Sequence, residues 1–209
     1  MKNVLAIGAH FDDVEIGCAG TLAKHKAKGD KVIILVITHS KYSNYDGNII
    51  REKEKAFSEG SQAAEILDCE LICFQWETKQ VIFGYKLIEE INKIIDAYKI
   101  DIIYTHWDYD VHQDHLAIGK ASLNAGRKVN NILMYQSNLY MNTRMFRANF
   151  FVDISDYIDL KIAAINAHES EVKKFGPEWI NFWINEAMNN GKKLNVKYAE
   201  AFQLVKYLA

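Results

Sequence analysis

An apolar run that stops at a small-residue pair and turns at once into an imidazole and two carboxylates constrains this chain more than any other feature. Val4-Leu5-Ala6-Ile7 leads into Gly8-Ala9 and then into His10-Phe11-Asp12-Asp13. A run that short, β-friendly and free of polar interruption reads as a strand buried on both faces. Strands of that kind belong to parallel sheets covered by helices on each side. Such sheets carry their sites in the crevice at the carboxyl ends of the strands, so the residues after Ala9 are delivered to that end.

The rhythm repeats along the chain. Residues 16–28 carry apolar positions at helical spacing and stop at Gly29-Asp30. Residues 31–38 read as a second buried strand, 39–48 as a polar loop at the same sheet end, and 51–67 as a charged amphipathic helix. A third strand follows at 70–76, a helix at 85–98 with Leu87, Ile88, Ile91, Ile94 and Ile95 on its apolar face, and a fourth strand at 100–105. This alternation predicts an α/β fold: one domain over residues 1–209, a Rossmann-like three-layer sandwich around a mostly parallel sheet. After a second polar loop comes a helix to about residue 125, then strands at 132–135 and 150–152. Ser155 caps a helix from 157 to about 174, a helical stretch at 177–189 closes at Gly191, and the apolar tail 196–208 docks on the body.

Composition removes several classes of partner. With 25 basic and 27 acidic residues and a formal charge of −2, nothing forecasts an electrostatic grip on nucleic acid or anionic lipid. No run of about 18 apolar residues and no separate signal-peptide core is present, which predicts no membrane span and a cytoplasmic location. Cys18, Cys69 and Cys73 are odd in number and form no C-x-x-C pair, so they read as packed thiols rather than a disulfide framework or a thiolate metal site.

The two polar loops carry the chemistry. His10 and Asp13 stand three apart at a strand-to-helix turn, and His112 and His115 stand three apart where another helix opens. Residues at that spacing project from one side of a helical turn, so each pair can aim at a common point. Two imidazoles and a carboxylate that leave a position for water match an open catalytic zinc site, which iron(II) or another divalent metal also suits. A cap or surface position is the ordinary alternative for either histidine alone. Asp12, beside a ligand, is placed to take a proton from water, and His112 with Asp114 suits an oxyanion stabiliser or general acid.

His10-Phe11-Asp12-Asp13 with Gly17 and Gly20-Thr21-Leu22, together with His112-Gln113-Asp114-His115, resembles the PIG-L (LmbE-like) zinc-dependent N-deacetylases, which carry A-H-P-D-D-E after the first strand and H-x-D-H later. The resemblance implies His10, Asp13 and His115 as Zn2+ ligands, Asp12 as general base, and His112 oriented by Asp114. Arg51 looks like the family's arginine near the substrate, and Tyr198-Ala199-Glu200-Ala201-Phe202 is similar to a common C-terminal motif, which makes Tyr198 a second substrate-binding candidate. The implied reaction removes the acetyl group from an N-acetylated amino-sugar or its conjugate. Another metallohydrolase, such as a phosphoesterase, or a catalytically idle metal-binding member would use the same ligands. Phe11 stands where the family has proline and Val14 where it has an acidic residue, so the turn lacks a fixed φ and one polar contact.

Other residues invite a role. Gly8, Gly17 and Gly20 do not make G-x-G-x-x-G, and Asp12-Asp13 would repel a pyrophosphate, which argues against NAD. His39, His106 and Asp110 fall near the site end as loop residues within reach of a substrate; His25 is expected to face solvent, and His168 matches a late-helix family position without assigned chemistry. Trp107, Tyr109, Trp179 and Trp183 read first as packing and second as a sugar-stacking wall. The segment Ile180-Asn181-Phe182-Trp183-Ile184 offers an apolar face for a homo-oligomer contact.

Overall fold

In the computed structural model, which describes residues 1–208, the opening apolar run becomes β1 (Asn3–Gly8) and lies inside a seven-stranded sheet. The remaining strands are β2 (Lys31–Thr38), the short pair β3 (Tyr42–Ser43) and β4 (Ile49–Arg51), β5 (Glu70–Trp76), β6 (Ile102–His106), β7 (Asn131–Tyr135), β8 (Phe150–Asp153) and β9 (Ala199–Lys206). The helices are α1 (Asp13–Ala27), α2 (Lys53–Ile66), α3 (Tyr85–Tyr98), α4 (Gln113–Ala125), α5 (Ile158–Asn166), α6 (Glu169–Phe175) and α7 (Pro177–Lys193). The large sheet runs β5-β2-β1-β6-β7-β9-β8; its first five strands are parallel, and β9 is antiparallel to both neighbours. This is the expected α/β single domain with a mostly parallel sheet between helical layers.

Alternation along β1 builds both cores. Val4 and Ala6 face Val32, Ile34, Leu22 of α1, Ala63 of α2 and Ala164 of α5. Leu5 and Ile7 face Ile33, Leu35, Leu87 and Ile91 of α3 and Ile118 of α4. A strand apolar on both faces is therefore stabilised only between two helical layers. From β1 the chain winds outward to β2 and β5, then returns to place β6 on the other side of β1. The order reverses at the β1/β6 boundary, and the loops leaving these two strands part to form a crevice.

Several details go beyond or depart from the sequence expectation. The polar loop after β2 holds the β3/β4 pair, in which Tyr42 pairs with Arg51, and the Asn44 side chain accepts from the backbone of Asp46 and Asn48 to close the turn. Arg51 therefore ends a strand, and α2 begins at Lys53. The helix expected over 157–174 breaks at Ala167-His168 into α5 and α6. The tail docks on the body as a strand: β9 enters the sheet between β7 and β8, with Phe202 buried against Tyr104. His25 does not face solvent, because it bridges Asp30 (2.7 Å) and the Tyr104 hydroxyl (3.0 Å).

A buried ion pair lies against α1. Lys161 Nζ donates to the carbonyls of Glu15 (3.2 Å) and Ile16 (2.6 Å) and to Glu200 Oε1 (2.6 Å), while Glu200 accepts from the amides of Gly20 and Thr21 (3.0 and 2.7 Å). The pair thus bonds backbone groups of α1 between Glu15 and Thr21 and ties α5 and β9 to them. Ile180 and Trp183 of α7 close on Ile16 and Ile165, so the face proposed for an oligomer contact is largely covered within the chain. None of the helices among the described residues is long and apolar enough to cross a membrane.

The helix α1 lies so close to the sheet that a Cβ on Gly17 would sit 2.2 Å from Cδ2 of Tyr135, a fully buried ring whose hydroxyl donates to the Ile7 carbonyl at 2.7 Å. In an open helix Gly→Ala gains about 1 kcal/mol, but overpacking costs about 1–3 kcal/mol. Gly17→Ala is therefore expected to lower stability, read as an earlier midpoint in urea unfolding at unchanged slope.

Candidate metal centre

The loops after β1 and β6 meet over the crevice. After β1 the backbone turns sharply at Asp12, whose φ of 125° and ψ of −28° are rare for a residue with a side chain, and α1 begins at Asp13. Such conformations cost about 1–3 kcal/mol and persist where surrounding structure enforces them. After β6, His112 caps α4: its Nδ1 accepts from the Asp114 amide at 3.2 Å. One turn into the helix this brings His115 over the crevice.

His10, Asp13 and His115 converge there. His10 Nδ1 lies 3.3 Å from Asp13 Oδ2 and 3.2 Å from His115 Nε2, and His115 Nε2 lies 3.2 Å from Asp13 Oδ1. Ligands about 2.0–2.2 Å from a tetrahedral zinc ion stand roughly 3.3–3.6 Å apart, so each pair is spaced as neighbours on one small cation, Asp13 presenting Oδ2 to His10 and Oδ1 to His115. The opposite ring nitrogens are held by carboxylates: His10 Nε2 by Asp114 Oδ2 at 3.0 Å, and His115 Nδ1 by Asp110 Oδ2 at 3.2 Å. In the neutral rings, donation through those nitrogens leaves Nδ1 of His10 and Nε2 of His115 with free lone pairs, the arrangement that fixes metal-ligating histidines. Asp114 also accepts from the amides of Lys79 (2.6 Å) and Val81 (3.1 Å), Asp110 from the amide of His112 (2.8 Å) and from Asn138, and Asp13 from the Ser137 hydroxyl (2.8 Å).

Two further histidines complete the cluster, and donor sets with His106 (Asp13, His106, His115) or His112 (His10, His112, His115) are also compact enough for an ion. His106, on the last residue of β6 and fully buried, stacks on His115 with ring centroids 4.0 Å apart. Its Nε2, the atom nearest Asp13 at 3.3 Å, accepts from the Ala9 amide at 2.9 Å, so that lone pair is already used. This bond favours the set of His10, Asp13 and His115. His112 has its Nδ1 engaged by the Asp114 amide, which leaves the proton of the neutral ring on Nε2.

The electrostatics agree. Burial opposes a charged imidazole, yet the bonds to Asp114 and Asp13 raise the pKa of His10 from 6.5 to about 10. Burial likewise opposes ionisation of Asp13, but the facing imidazoles of His115 and His106 and the bond to His10 hold it well below the usual carboxylate range. The cluster therefore calls for positive charge between Asp13 and the two imidazoles, which a divalent cation would meet. Asp12 is pushed the other way, upward, by burial and then by the charges of Asp13 and Glu171. Burial and the nearby His10 and His115 lower His112 to about 4. His106 is lowered by burial and by His115.

The remaining candidates sort by contact. Asp114 does not orient the His112 ring: its carboxylate turns to His10, because the helix N-terminus presents only its amide to His112. Arg51 is buried and committed to Glu59, Glu171 and the Phe11 carbonyl. Tyr198 packs with Ile154, Ile158 and Ala187, apart from the histidines. His39 pairs with Glu77, and His168 is buried with Nδ1 3.3 Å from Arg51 and Nε2 3.4 Å from Glu15. Sequence reasoning missed His106 as part of the cluster and Asp110 as the partner of His115. The signal available was position: His106 closes a buried strand, and Asp110 lies five residues before His115.

Comparison with known proteins follows the same loops. The family model PIG-L, described as GlcNAc-PI de-N-acetylase, matches residues 5–126, a span that holds both. The chain is 34% identical over 178 residues to the uncharacterized deacetylase YaiS of Escherichia coli K12, covering 81% of this chain and 91% of YaiS. It is 26% identical to the diacetylchitobiose deacetylase of Thermococcus kodakarensis, over 98% of this chain and 84% of that protein. Among solved structures, the conserved protein TT1542 of Thermus thermophilus superposes with a TM-score of 0.84 at 23% identity, over 100% of this chain and 97% of that one. With the family model matched over more than half of its length, the chain belongs to the PIG-L family.

Proposed function

We propose that the protein is a metal-dependent hydrolase that removes the acetyl group from the nitrogen of an N-acetylated amino-sugar. The observation that carries the reading is the triangle of His10 Nδ1, His115 Nε2 and the Asp13 carboxylate, with separations of 3.2–3.3 Å and outward nitrogens tied to Asp114 and Asp110. The diacetylchitobiose deacetylase among its relatives supports the substrate class. Zn2+ fits two imidazoles and one carboxylate, and Fe2+ fits the same donors. Bound there, such an ion brings the pKa of a water to about 7 and polarises a carbonyl oxygen.

The chain's own groups supply the rest. Asp12 takes the proton of the attacking water: its carboxylate receives no hydrogen bond from the described residues, and its raised pKa makes it a stronger base than an exposed aspartate. The same carboxylic acid then returns the proton to the departing nitrogen, so that water and amide become acetate and a free amine. His112, neutral with its proton on Nε2, donates to the oxygen that gains charge as the carbonyl carbon becomes tetrahedral. A neutral donor suits an oxyanion better than it suits proton delivery. Asp110 and Asp114 hold the ligand rings in the required tautomers.

Release of primary amine from a panel of N-acetyl sugars, including N,N'-diacetylchitobiose, is expected to be abolished by a chelator and restored by divalent metal; phosphate release from sugar phosphates instead would identify a phosphoesterase. Asp12→Asn is expected to keep one equivalent of metal while kcat falls by about 10²–10⁴-fold, whereas His115→Ala loses metal and turnover together, both read by metal analysis beside kinetics. Asp110→Asn, which touches no substrate in this scheme, should weaken metal binding by about 10–100-fold in a competition titration.

A further inference from the structure

We infer that Arg51 is a positioning residue, which holds Asp12 in its unusual backbone conformation through the carbonyl of Phe11; the inference rests on Asp12 acting as the base. Arg51 is 3% exposed. Its Nη1 donates to the Phe11 carbonyl at 2.9 Å and lies 3.6 Å from Glu171 Oε1; its Nη2 donates to Glu59 Oε2 at 2.7 Å. Glu59 is itself fixed by the amide and hydroxyl of Ser170 (2.8 and 2.6 Å), and Glu171 by the Tyr42 hydroxyl (2.9 Å). Only Nε lacks a partner.

The peptide plane that carries the Phe11 oxygen also carries the Asp12 nitrogen, so its orientation about the N–Cα bond is the φ of Asp12. A strong hydrogen bond from a rigidly held guanidinium to that oxygen therefore locks φ at 125°. Phe11 is secured at two further points. Its amide donates to Ser40 Oγ at 2.8 Å, and its ring fills the space that Gly60 leaves on α2, where a Cβ would come within 2.1 Å of it. A proline at position 11, the residue of the motif this stretch resembles, has no N–H for Ser40. A proline would fix the φ of residue 11 itself; here the Ser40 bond and the buried ring hold that plane, while Arg51 holds the next one, which enters Asp12.

The clamp predicts a split between kinetic parameters. In the metal-loaded enzyme, Arg51→Gln is expected to lower kcat at least tenfold with KM within twofold of wild type, and Arg51→Lys to recover part of the loss by keeping a donor for Phe11. A rise in KM at unchanged kcat would make Arg51 a substrate ligand, acting through Nε, and overturn the inference. Should Arg51→Gln fail to fold, Glu59→Gln carries the same test by loosening the guanidinium that holds the Phe11 oxygen, and unchanged kinetics there counts against the clamp. A second arm needs no activity: Arg51→Gln is introduced into Asp12→Asn and Asp12→Gly, both without the carboxylate. Because asparagine keeps the backbone strain and glycine does not, losing the clamp releases strain only beside asparagine, and the fall in Tm should be larger in the glycine background. Equal falls would refute the clamp. Absence of turnover in the wild type would sink the deacetylase reading and leave this stability comparison to decide the clamp.

Discussion

A carboxylate taken out of water must be repaid in partners, and the buried carboxylate of Asp13 organises the molecule around that requirement. It receives the amide of His10 and the hydroxyl of Ser137, and faces the rings of His10, His106 and His115. These groups come from the ends of β1, β6 and β7 and from α4, so satisfying one charge draws together loops about a hundred residues apart. The reversal of strand order between β1 and β6 opens the space in which they meet. Carboxylates behind the rings extend the pattern: Asp114 holds His10 and accepts two backbone amides, and Asp110 holds His115 and accepts the amide of His112.

Two clusters of buried charged groups serve the same corner. Arg51, between Glu59 and Glu171, grips the peptide that enters Asp12. Lys161 and Glu200 take up backbone groups of α1 just beyond Asp13, from Glu15 to Thr21. Removing one partner of such a pair leaves a desolvated charge, which is why these positions tie the distant elements α2, α5, α6 and β9 to the start of α1. The turn is thus braced by ionic contacts, while apolar packing of α1 on Tyr135 and Ile154 sets its distance from the sheet.

Most of the fold was legible because parallel strands are apolar on both faces and helices are not. Val4 to Ile7, Val32 to Ile37 and the stripe from Leu87 to Ile95 each announce their element, and the turn after Ala9 announces where polar groups collect. The β9 strand was not legible, since Glu200 interrupts its apolar pattern and is tolerated only because Lys161 waits opposite. Nor was the break at His168, whose buried ring fits between Arg51 and Glu15. In both cases a polar residue is buried by a partner far away in the chain, which local periodicity cannot register.

By itself the sequence determined the layered α/β architecture, the two loops that bear His10, Asp12, Asp13, His112, Asp114 and His115, and the sheet end to which they belong, because each depends on residue type and short-range spacing. Tertiary structure alone decided which nitrogen of each ring points inward, that Asp114 serves His10 while Asp110 serves His115, that His106 joins the cluster, and that Arg51 turns to Phe11. Those outcomes depend on hydrogen-bond geometry between segments brought together by the sheet, and a tautomer or a carboxylate's choice of partner is set by what lies within about 3 Å in space, whatever the distance along the chain.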